Sequence, residues 1–193
     1  MKKIVIISMV VASLLLGSFR PADPAIWTMD KNHSKLGFGV THLAISEVEG
    51  WFKSFDAKIT ASGDDFSNAV VEMTADVNSI NTENEQRDNH LRSVTFFDVA
   101  NFPVLTFKSK TFTKLSDTNY KVTGDLTMHG VTKTISLDVF CRTGKNPQTQ
   151  KPMAGFKITG TLKRSDFGLG TSMVYTVVGD DVSLIANAEF QLK

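Results

Sequence analysis

The chain is poor in cysteine and lacks the residue spacings of common metal sites. Its 193 residues include one cysteine, Cys141, so no internal disulfide can form and stability must come from a hydrophobic core. None of the four histidines is paired at a spacing such as H-x-x-x-H, and no second cysteine could complete a zinc site. We therefore predict no metal and no cofactor. Cys141 shares an apolar face with Leu137 and Val139, which favours a small core residue, with a reactive thiol as the alternative.

The signatures of common enzyme classes are missing as well. The sequence contains no G-x-S-x-G elbow, no glycine-rich phosphate loop and no H-E-x-x-H helix. Acidic residues fall on the polar positions of the predicted strands, so no pair of carboxylates is indicated for acid–base catalysis. We predict no catalytic residue, although a Ser-His-Asp set assembled only by folding stays open.

Tryptophan and tyrosine are scarce, with two of each, whereas phenylalanine occurs 14 times. Sites that stack sugars or bases usually use Trp and Tyr, because these side chains carry a polar group beside the ring. A chain dominated by Phe is instead built around purely apolar contacts. This composition fits a large core, and it also fits a pocket for an apolar ligand.

The N-terminus has the layout of an export signal. A basic start, Met1-Lys2-Lys3, precedes the apolar run Ile4–Leu16, and small residues follow. This order is typical of a cleavable signal peptide, and the run is shorter than the roughly 20 residues that span a bilayer. We place a signal peptide at residues 1–25 and one domain at residues 26–193, with a retained N-terminal anchor as the alternative. The mature protein is thus expected to be periplasmic or secreted.

The predicted mature domain carries almost no net charge. Without the charged residues of the leader it has 18 basic and 19 acidic residues. Binding to nucleic acid requires a basic surface, so a nucleic-acid partner is not expected. The domain is long enough to bury a sizeable core.

Alternation of apolar and polar residues with period two dominates the domain and predicts antiparallel strands. Near Lys53-Ser54 the apolar phase slips by one residue, which predicts a β-bulge. Residues 81–93 lack strand formers and carry Thr82 ahead of charged helix formers, which predicts a helix. The clearest alternating runs span residues 35–42, 48–59, 120–128, 135–141, 156–162 and 182–192, with shorter strands around 70–77 and 105–112.

These runs predict an all-β fold, an antiparallel barrel of about eight strands with one helical insertion between the early and the late strands. Closure into a barrel is favoured because it removes exposed strand edges. A sandwich of two sheets would produce much the same pattern, so it stays open as the alternative.

Three positions on the apolar faces of different strands are glycine: Gly50, Gly124 and Gly160. A glycine inside a strand marks either a bend or a place where a ligand comes close. A barrel of eight strands either is filled by its side chains or holds one ligand. The missing side chains therefore suggest space for a ligand, and bends needed for barrel closure are the alternative.

Several motifs occur in order along the predicted domain. Together they resemble the YceI-like, polyisoprenoid-binding family over about residues 26–193. The motifs are Trp27-Thr28-Met29-Asp30 with His33-Ser34-Lys35-Leu36-Gly37-Phe38 and His42, Gly50-Trp51-Phe52 with Phe55, Arg87-Asp88-Asn89-His90-Leu91-Arg92 with Phe96-Phe97-Asp98 and Phe102-Pro103, Gly124-Asp125-Leu126-Thr127 with His129-Gly130-Val131-Thr132-Lys133, and Arg164-Ser165-Asp166-Phe167-Gly168.

The resemblance implies a lipocalin-like antiparallel barrel, export to the periplasm and a possible homodimer. It also implies a long apolar tunnel for an isoprenoid or fatty amide chain, with isoprenoid quinones or prenyl phosphates as the implied ligands. Contact with a membrane is then expected only transiently, while lipid is loaded.

Three polar side chains are candidates for contact with a lipid head group. His42 lies on the apolar face of its strand, where it is either a hydrogen-bonded core histidine or a head-group contact. Arg87 and His90 share one face of the predicted helix, because they are three residues apart. They either tether the helix over the barrel mouth or meet the head group.

The sequence therefore predicts a ligand-binding site and no catalytic or metal site. Two functions from different classes stay open: a carrier or store of a long-chain isoprenoid-type lipid, and an enzyme acting on such a lipid or an accessory to periplasmic redox chemistry. The predicted ligand-binding residues are Phe38, Val40, His42, Gly50, Phe52, Arg87, His90, Leu91, Phe97, Phe107, Gly124, Leu126, Phe156 and Gly160.

Overall fold

The computed structural model describes residues 24–62 and 65–193, so nearly all of the predicted signal peptide lies outside the described residues. The described chain contains ten strands, one α-helix, and two 3-10 turns at Val77–Ser79 and Arg164–Phe167. The strands are β1 (Ala25–His42), β2 (Ser46–Phe52), β3 (Phe55–Ala61), β4 (Val70–Asp76), β5 (Ile80–Asn81), β6 (Val104–Lys114), β7 (Asn119–Met128), β8 (Val131–Lys145), β9 (Pro152–Lys163) and β10 (Val178–Leu192), and the helix α1 is Glu85–Arg92.

The strands close into one antiparallel barrel. Their order is β10-β9-β8-β7-β6-β4-β3-β1-β2-β5, and an additional pairing of β10 with β1 closes the ring. β2 and β3 pair with different parts of the same long β1, so together they occupy one of the eight strand positions around the barrel. The predicted barrel is confirmed, and the alternative sandwich is wrong because it would leave β1 and β10 unpaired.

The slip in apolar phase at Lys53-Ser54 is a break between two strands. β2 pairs with β5 on its free side, whereas β3 pairs with β4. The 3-10 turn holds the break, because the carbonyl and the hydroxyl of Ser79 accept the backbone N–H groups of Lys53 and Ser54 at 3.1 and 2.9 Å. The predicted phase change is therefore present, but a strand end rather than a simple bulge produces it.

Helix α1 is shorter than predicted from residues 81–93. Residues 80–81 pair with β2 instead, and Asn84 rather than Thr82 is the N-cap, accepting the N–H of Arg87 at 3.0 Å. Thr82 is buried, and its N–H and hydroxyl both donate to the carboxylate of Asp88, at 2.8 and 2.5 Å. Thr82 is thus a buried tie to the helix and not its first turn. No helix of the described residues is long and apolar enough to cross a membrane.

The two ends of the barrel differ. At one end, which we call the closed end, four aromatic rings form a continuous aromatic cluster with tilted and edge-to-face contacts. The ring centroids lie 5.0 Å apart for Trp27 and Phe66, 5.1 Å for Phe66 and Phe156, and 5.6 Å for Phe156 and Phe190. The other end, the mouth end, has four connections. Two are the short β1–β2 and β7–β8 hairpins, and two are the longer segments 82–103, which contains α1, and 164–177.

Candidate functional site

The barrel encloses an apolar cavity of about 240 Å³. Inward side chains of the strands line it, together with Leu91 of α1 and with Phe96, Phe97 and Leu169 from the mouth-end connections. Among the described residues, the one charged side chain in its lining is Arg164. An engineered apolar cavity of about 150 Å³ already stays dry and accepts a molecule the size of benzene, because a buried water needs two to four polar partners. The chemistry of this lining therefore favours a hydrocarbon ligand over water.

Eight of the fourteen residues predicted to bind the ligand line this cavity, and six do not. The eight are Phe38, Val40, Phe52, Leu91, Phe97, Phe107, Leu126 and Phe156. The six are the three glycines Gly50, Gly124 and Gly160 and the three polar residues His42, Arg87 and His90.

The space beside each of the three glycines is occupied by a neighbouring side chain. A Cβ at Gly50 would lie 2.3 Å from the ring of Phe38, and one at Gly124 would lie 2.5 Å from the ring of Phe107 and from the carbonyl oxygen of Lys108. At Gly160 the nearest atom is Cδ2 of Leu137, at 2.6 Å. The idea that these glycines leave open space is therefore wrong. They let larger side chains lie flat against the strand, and those side chains line the cavity.

Gly124 makes the sharpest test of this packing. We expect Gly124→Ala to lower the free energy of unfolding by about 1–3 kcal/mol, because the new methyl group overlaps a main-chain carbonyl that cannot move away. The matched control is Gly155→Ala on β9, where no atom of the described part of the chain lies within 4 Å of the added Cβ. Urea unfolding of both variants measures the difference. Equal stabilities for the two variants would contradict the close packing at Gly124.

Arg87 ties the start of the helix to the preceding strand. Its Nε donates to the hydroxyl of Thr82 at 2.7 Å, and its Nη2 donates to the carbonyl of Thr82 at 2.6 Å. Asp88 accepts from the same threonine, so half-buried Arg87 joins buried Thr82 and Asp88 in one hydrogen-bond network. Of the two roles predicted for Arg87, this geometry supports the tether.

The two histidines lie near the mouth but not in the cavity lining. His90 is exposed, and its ring meets the ring of Phe96 edge-on at 5.1 Å. His42 ends β1 and is half-buried, and within the described residues its ring makes no hydrogen bond. The prediction of a hydrogen-bonded core histidine is thus wrong for His42. Contact of either ring with a ligand head group stays a prediction.

Arg164 is a site residue that the sequence prediction does not include, although its position in the alternating pattern carries a signal. It continues the inward alternation of β9 from Ile158, Gly160 and Leu162, so the same phase that predicts the strand points Arg164 toward the barrel axis. The side chain is buried, with 3% of its surface exposed. An inward arginine at the end of an apolar strand needs polar partners, because a buried charge without them is costly.

Main-chain carbonyls satisfy all five N–H groups of Arg164. Nε donates to the carbonyl of Gly179 at 3.0 Å, and the two terminal nitrogens donate to four further carbonyls. These four belong to Leu169, Gly170, Met173 and Val178, at 2.9, 2.6, 3.1 and 3.0 Å. The guanidinium also lies 5.4 Å from the ring centre of Tyr175. Arg164 therefore organises the mouth-end segment 168–179, and no N–H group is left for a ligand.

The same segment is held at its base by Asp180. Its carboxylate accepts the N–H and the hydroxyl of Ser165 at 3.0 and 2.9 Å. Burial opposes the charged form of Asp180, but these hydrogen bonds outweigh it and hold the pKa of the carboxyl below its ordinary value. Segment 168–179 is thus held by the hydrogen bonds of Arg164, which precedes it, and by those of Asp180, which follows it.

Cys141 is a core residue, as predicted. It is buried, and burial raises the pKa of its thiol to about 11. A thiol with this pKa stays protonated at neutral pH and is a poor nucleophile.

A group of potential metal-ligating side chains lies on the outer surface. The ligand atoms of Asp30, His33 and Glu189 are within 4.8 Å of one another, where β1 bulges between Asp30 and Lys35 against β10. Nδ1 of His33 already lies 2.9 Å from the Asp30 carboxylate. The sequence spacing did not reveal this group, because Glu189 comes from the far end of the chain.

A closed antiparallel barrel around one apolar cavity is the architecture of lipocalin-like proteins. The sequence model of the YceI-like domain family matches residues 27–190 of this chain. The chain therefore belongs to the YceI-like family.

Relatives and solved structures agree with this assignment. A UPF0312 protein of Staphylococcus aureus strain N315 is 38% identical over 171 residues, which cover 86% of this chain and 97% of the relative. The crystal structure of a Campylobacter jejuni YCEI protein is 37% identical, with a TM-score of 0.73 over 79% of this chain and 90% of that chain. A polyisoprenoid binding domain of Saccharophagus degradans is 19% identical and shares the fold, with a TM-score of 0.64 over 86% of this chain and 98% of that chain.

Proposed function

We propose that this protein binds and carries or stores one long-chain isoprenoid-type lipid in the barrel cavity and is not an enzyme. The observation that carries this proposal is the cavity itself, about 240 Å³ in volume and lined by apolar side chains with one arginine. Membership of the YceI-like family supports it. So does the name of the Saccharophagus degradans domain, whose barrel has the same fold and binds polyisoprenoid.

The two ends of the barrel give the lipid a direction. The closed end is sealed by aromatic rings and fits an apolar tail. The buried positive charge of Arg164 lies at the mouth end. Its N–H groups donate to main-chain carbonyls, and its charge also interacts electrostatically with the Asp180 carboxylate. We therefore place the head group at the mouth, where this charge attracts an electron-rich oxygen through space.

The lining also limits which head groups fit inside. A prenyl phosphate buried in the cavity would need hydrogen-bond donors, since a buried unpaired charge is strongly unfavourable. Arg164 has none to offer, because all five are used. A quinone or a fatty amide tolerates burial better, and a phosphate would have to stay outside the mouth in water.

The site of action that we propose is the periplasm or the outside of the cell. The support is the basic and apolar start of the chain, which has the layout of a cleavable signal peptide. A long-chain lipid crossing an aqueous compartment needs a carrier, so this location fits the proposed function.

The lipid content of the purified protein tests the proposal. Extraction of protein from its native envelope fraction with organic solvent, followed by mass spectrometry, is expected to yield one long-chain lipid per barrel. Isoprenoid alcohols added to the lipid-free protein should bind more tightly as the isoprenoid chain is lengthened. The gain in binding free energy should be about 0.8 kcal/mol for each further buried CH₂, until the cavity is full. A mixture of a lipid and its chemically altered product would instead favour the alternative, an enzyme acting on such a lipid. Affinity that does not depend on chain length would contradict the cavity as the binding site.

A further inference from the structure

Exposed apolar side chains are concentrated at the mouth end of the barrel. Of the nine large hydrophobic residues that are exposed among the described residues, five lie on three mouth-end connections. Single exposed hydrophobic residues are normal, but a contiguous group indicates an interaction surface. We call this group the rim patch; it consists of Leu43, Ile45, Val94, Val174 and Tyr175, with exposures of 50, 85, 78, 63 and 61%.

The three connections are joined side by side. The N–H of Leu43 donates to the carbonyl of Val177 at 3.0 Å, which ties the β1–β2 hairpin to segment 168–177. The N–H of Gly170 donates to the carbonyl of Thr95 at 3.0 Å, which ties the same segment to the chain after α1. The rim patch is therefore one surface along one side of the mouth.

The rim patch also lacks formal charge. Residues 41–46, 93–97 and 167–179 contain no Lys, Arg, Asp or Glu. Transfer of these segments into an apolar environment therefore needs no charge to be desolvated. Tyr175 adds an aromatic ring with a hydroxyl group, the kind of side chain that is enriched where hydrocarbon meets head groups in membranes.

The tip of the β1–β2 hairpin carries apolar residues at positions whose backbone conformation favours Asn and Gly. Leu43 and Ala44 both have positive φ, 53° and 56°, and the N–H of Ile45 donates to the carbonyl of His42. Positive φ at two successive turn residues is typical of a type I′ turn, for which Asn-Gly is the preferred pair. Leucine and alanine at these positions oppose the turn, so folding stability does not explain them.

The rim patch is continuous with the cavity. Leu169 and Val178, at the two ends of the segment that carries Val174 and Tyr175, line the cavity wall. A hydrocarbon chain moving from the rim patch into the barrel would therefore stay in apolar surroundings. A second copy of the chain on this surface would seal the mouth, whereas a lipid bilayer there would open it to the ligand.

We propose that the rim patch inserts into the surface of a lipid bilayer and that the lipid enters and leaves the barrel through this contact. The proposal rests on the proposed function for its purpose, but the binding to bilayers is a separate property. Because the rim patch has no charge, insertion depends on apolar burial and not on anionic lipids, so added salt should not weaken it.

The test compares flotation of the protein with vesicles of phosphatidylcholine and phosphatidylethanolamine. The variant carries Leu43→Asn, Ala44→Gly and Ile45→Thr, which removes two rim-patch side chains and supplies the preferred turn residues. We expect its binding to vesicles to fall at least tenfold while its melting temperature stays the same or rises. The matched control is Leu115→Asn, an exposed leucine of the β6–β7 hairpin at the closed end, which should float like the wild type.

A second measurement separates this proposal from the proposed function. An isoprenoid alcohol delivered from cyclodextrin should fill the variant and the wild type equally, and only its pickup from vesicles should slow in the variant. Failure of both proteins to take the alcohol from cyclodextrin would contradict lipid binding and leave flotation unaffected. Three results would overturn the rim patch as a membrane contact: no flotation of the wild type, equal flotation of the variant, or flotation that needs anionic lipid and disappears in salt. A change from dimer to monomer in the variant with unchanged flotation would identify a contact between copies instead.

Discussion

Replacing Ala186 by leucine is expected to lower the affinity for a long isoprenoid chain at least tenfold without unfolding the barrel. Ala186 lies on β10, opposite Leu36 of β1 and Ile158 of β9, and it lines the cavity. The larger side chain would occupy space that the lipid needs. A tenfold change corresponds to about 1.4 kcal/mol of binding free energy, close to two buried CH₂ groups. A geranylgeranyl chain that carries a fluorescent head group is a suitable probe for titration.

The same substitution, Ala186→Leu, is expected to lower lipid affinity but not the free energy of unfolding. In a densely packed core the same substitution would cost about 1–3 kcal/mol, because the added carbons have no room. In an open apolar cavity each added carbon gains apolar contact, so the free energy of unfolding should stay the same or rise. Asn187→Leu is the matched control, because it adds a leucine to the outer face of the same strand. Lower stability with unchanged probe affinity in Ala186→Leu would contradict the cavity as the lipid site.

The barrel was predictable from the sequence because alternation with period two reports which face of each strand is buried. Closure was not predictable in the same way. It depends on the pairing of β1 with β10, for example Trp27 with Leu192, and no local pattern joins residues so far apart in the chain. The sequence alone therefore does not distinguish the barrel from the sandwich.

The candidate site could be predicted in its composition but not in its packing. Inward phase correctly selects residues that reach the cavity, such as Phe38, Phe107 and Phe156. It does not show that the ring of Phe38 covers Gly50 or that the ring of Phe107 covers Gly124, since each contact joins different strands. The same phase places Arg164 inward, but only the folded segment 168–179 shows which carbonyls receive its hydrogen bonds.

The polar candidates on the helix illustrate a second limit. Arg87 and His90 are three residues apart, and helical spacing alone puts them on one face. Folding separates their roles, because Arg87 is drawn back to buried Thr82 whereas His90 stays exposed against Phe96. The sequence predicts a cap at Thr82 because its side chain suits that position. Its hydrogen bond to Asp88 depends instead on residues 80–81 joining β2.

Replacing Arg164 by methionine is expected to cause the largest loss of stability that we predict. The substitution keeps an unbranched chain of similar length but leaves five main-chain carbonyls, all between Leu169 and Gly179, without their donor. Each buried acceptor that loses its partner costs about 1–3 kcal/mol, and water at the mouth will restore some of them. We therefore expect the free energy of unfolding to fall by about 3 kcal/mol or more, measured by urea unfolding.

The pattern of the loss distinguishes a local anchor from a general effect of removing an arginine. Arg142→Met, on the exposed face of β8, is the matched control. Its guanidinium lies 4.9 Å from the ring centre of Phe140, so its loss should change stability by no more than about 1 kcal/mol. Arg164→Lys should lie between the two, because an ammonium group has three donors for five carbonyls. Amide hydrogen exchange should accelerate first in residues 168–178 of Arg164→Met. The backbone amides of the residues in the aromatic cluster at the closed end should keep their protection. Uniform acceleration around the barrel, or a stability equal to that of the control, would show that the mouth-end segment does not depend on Arg164.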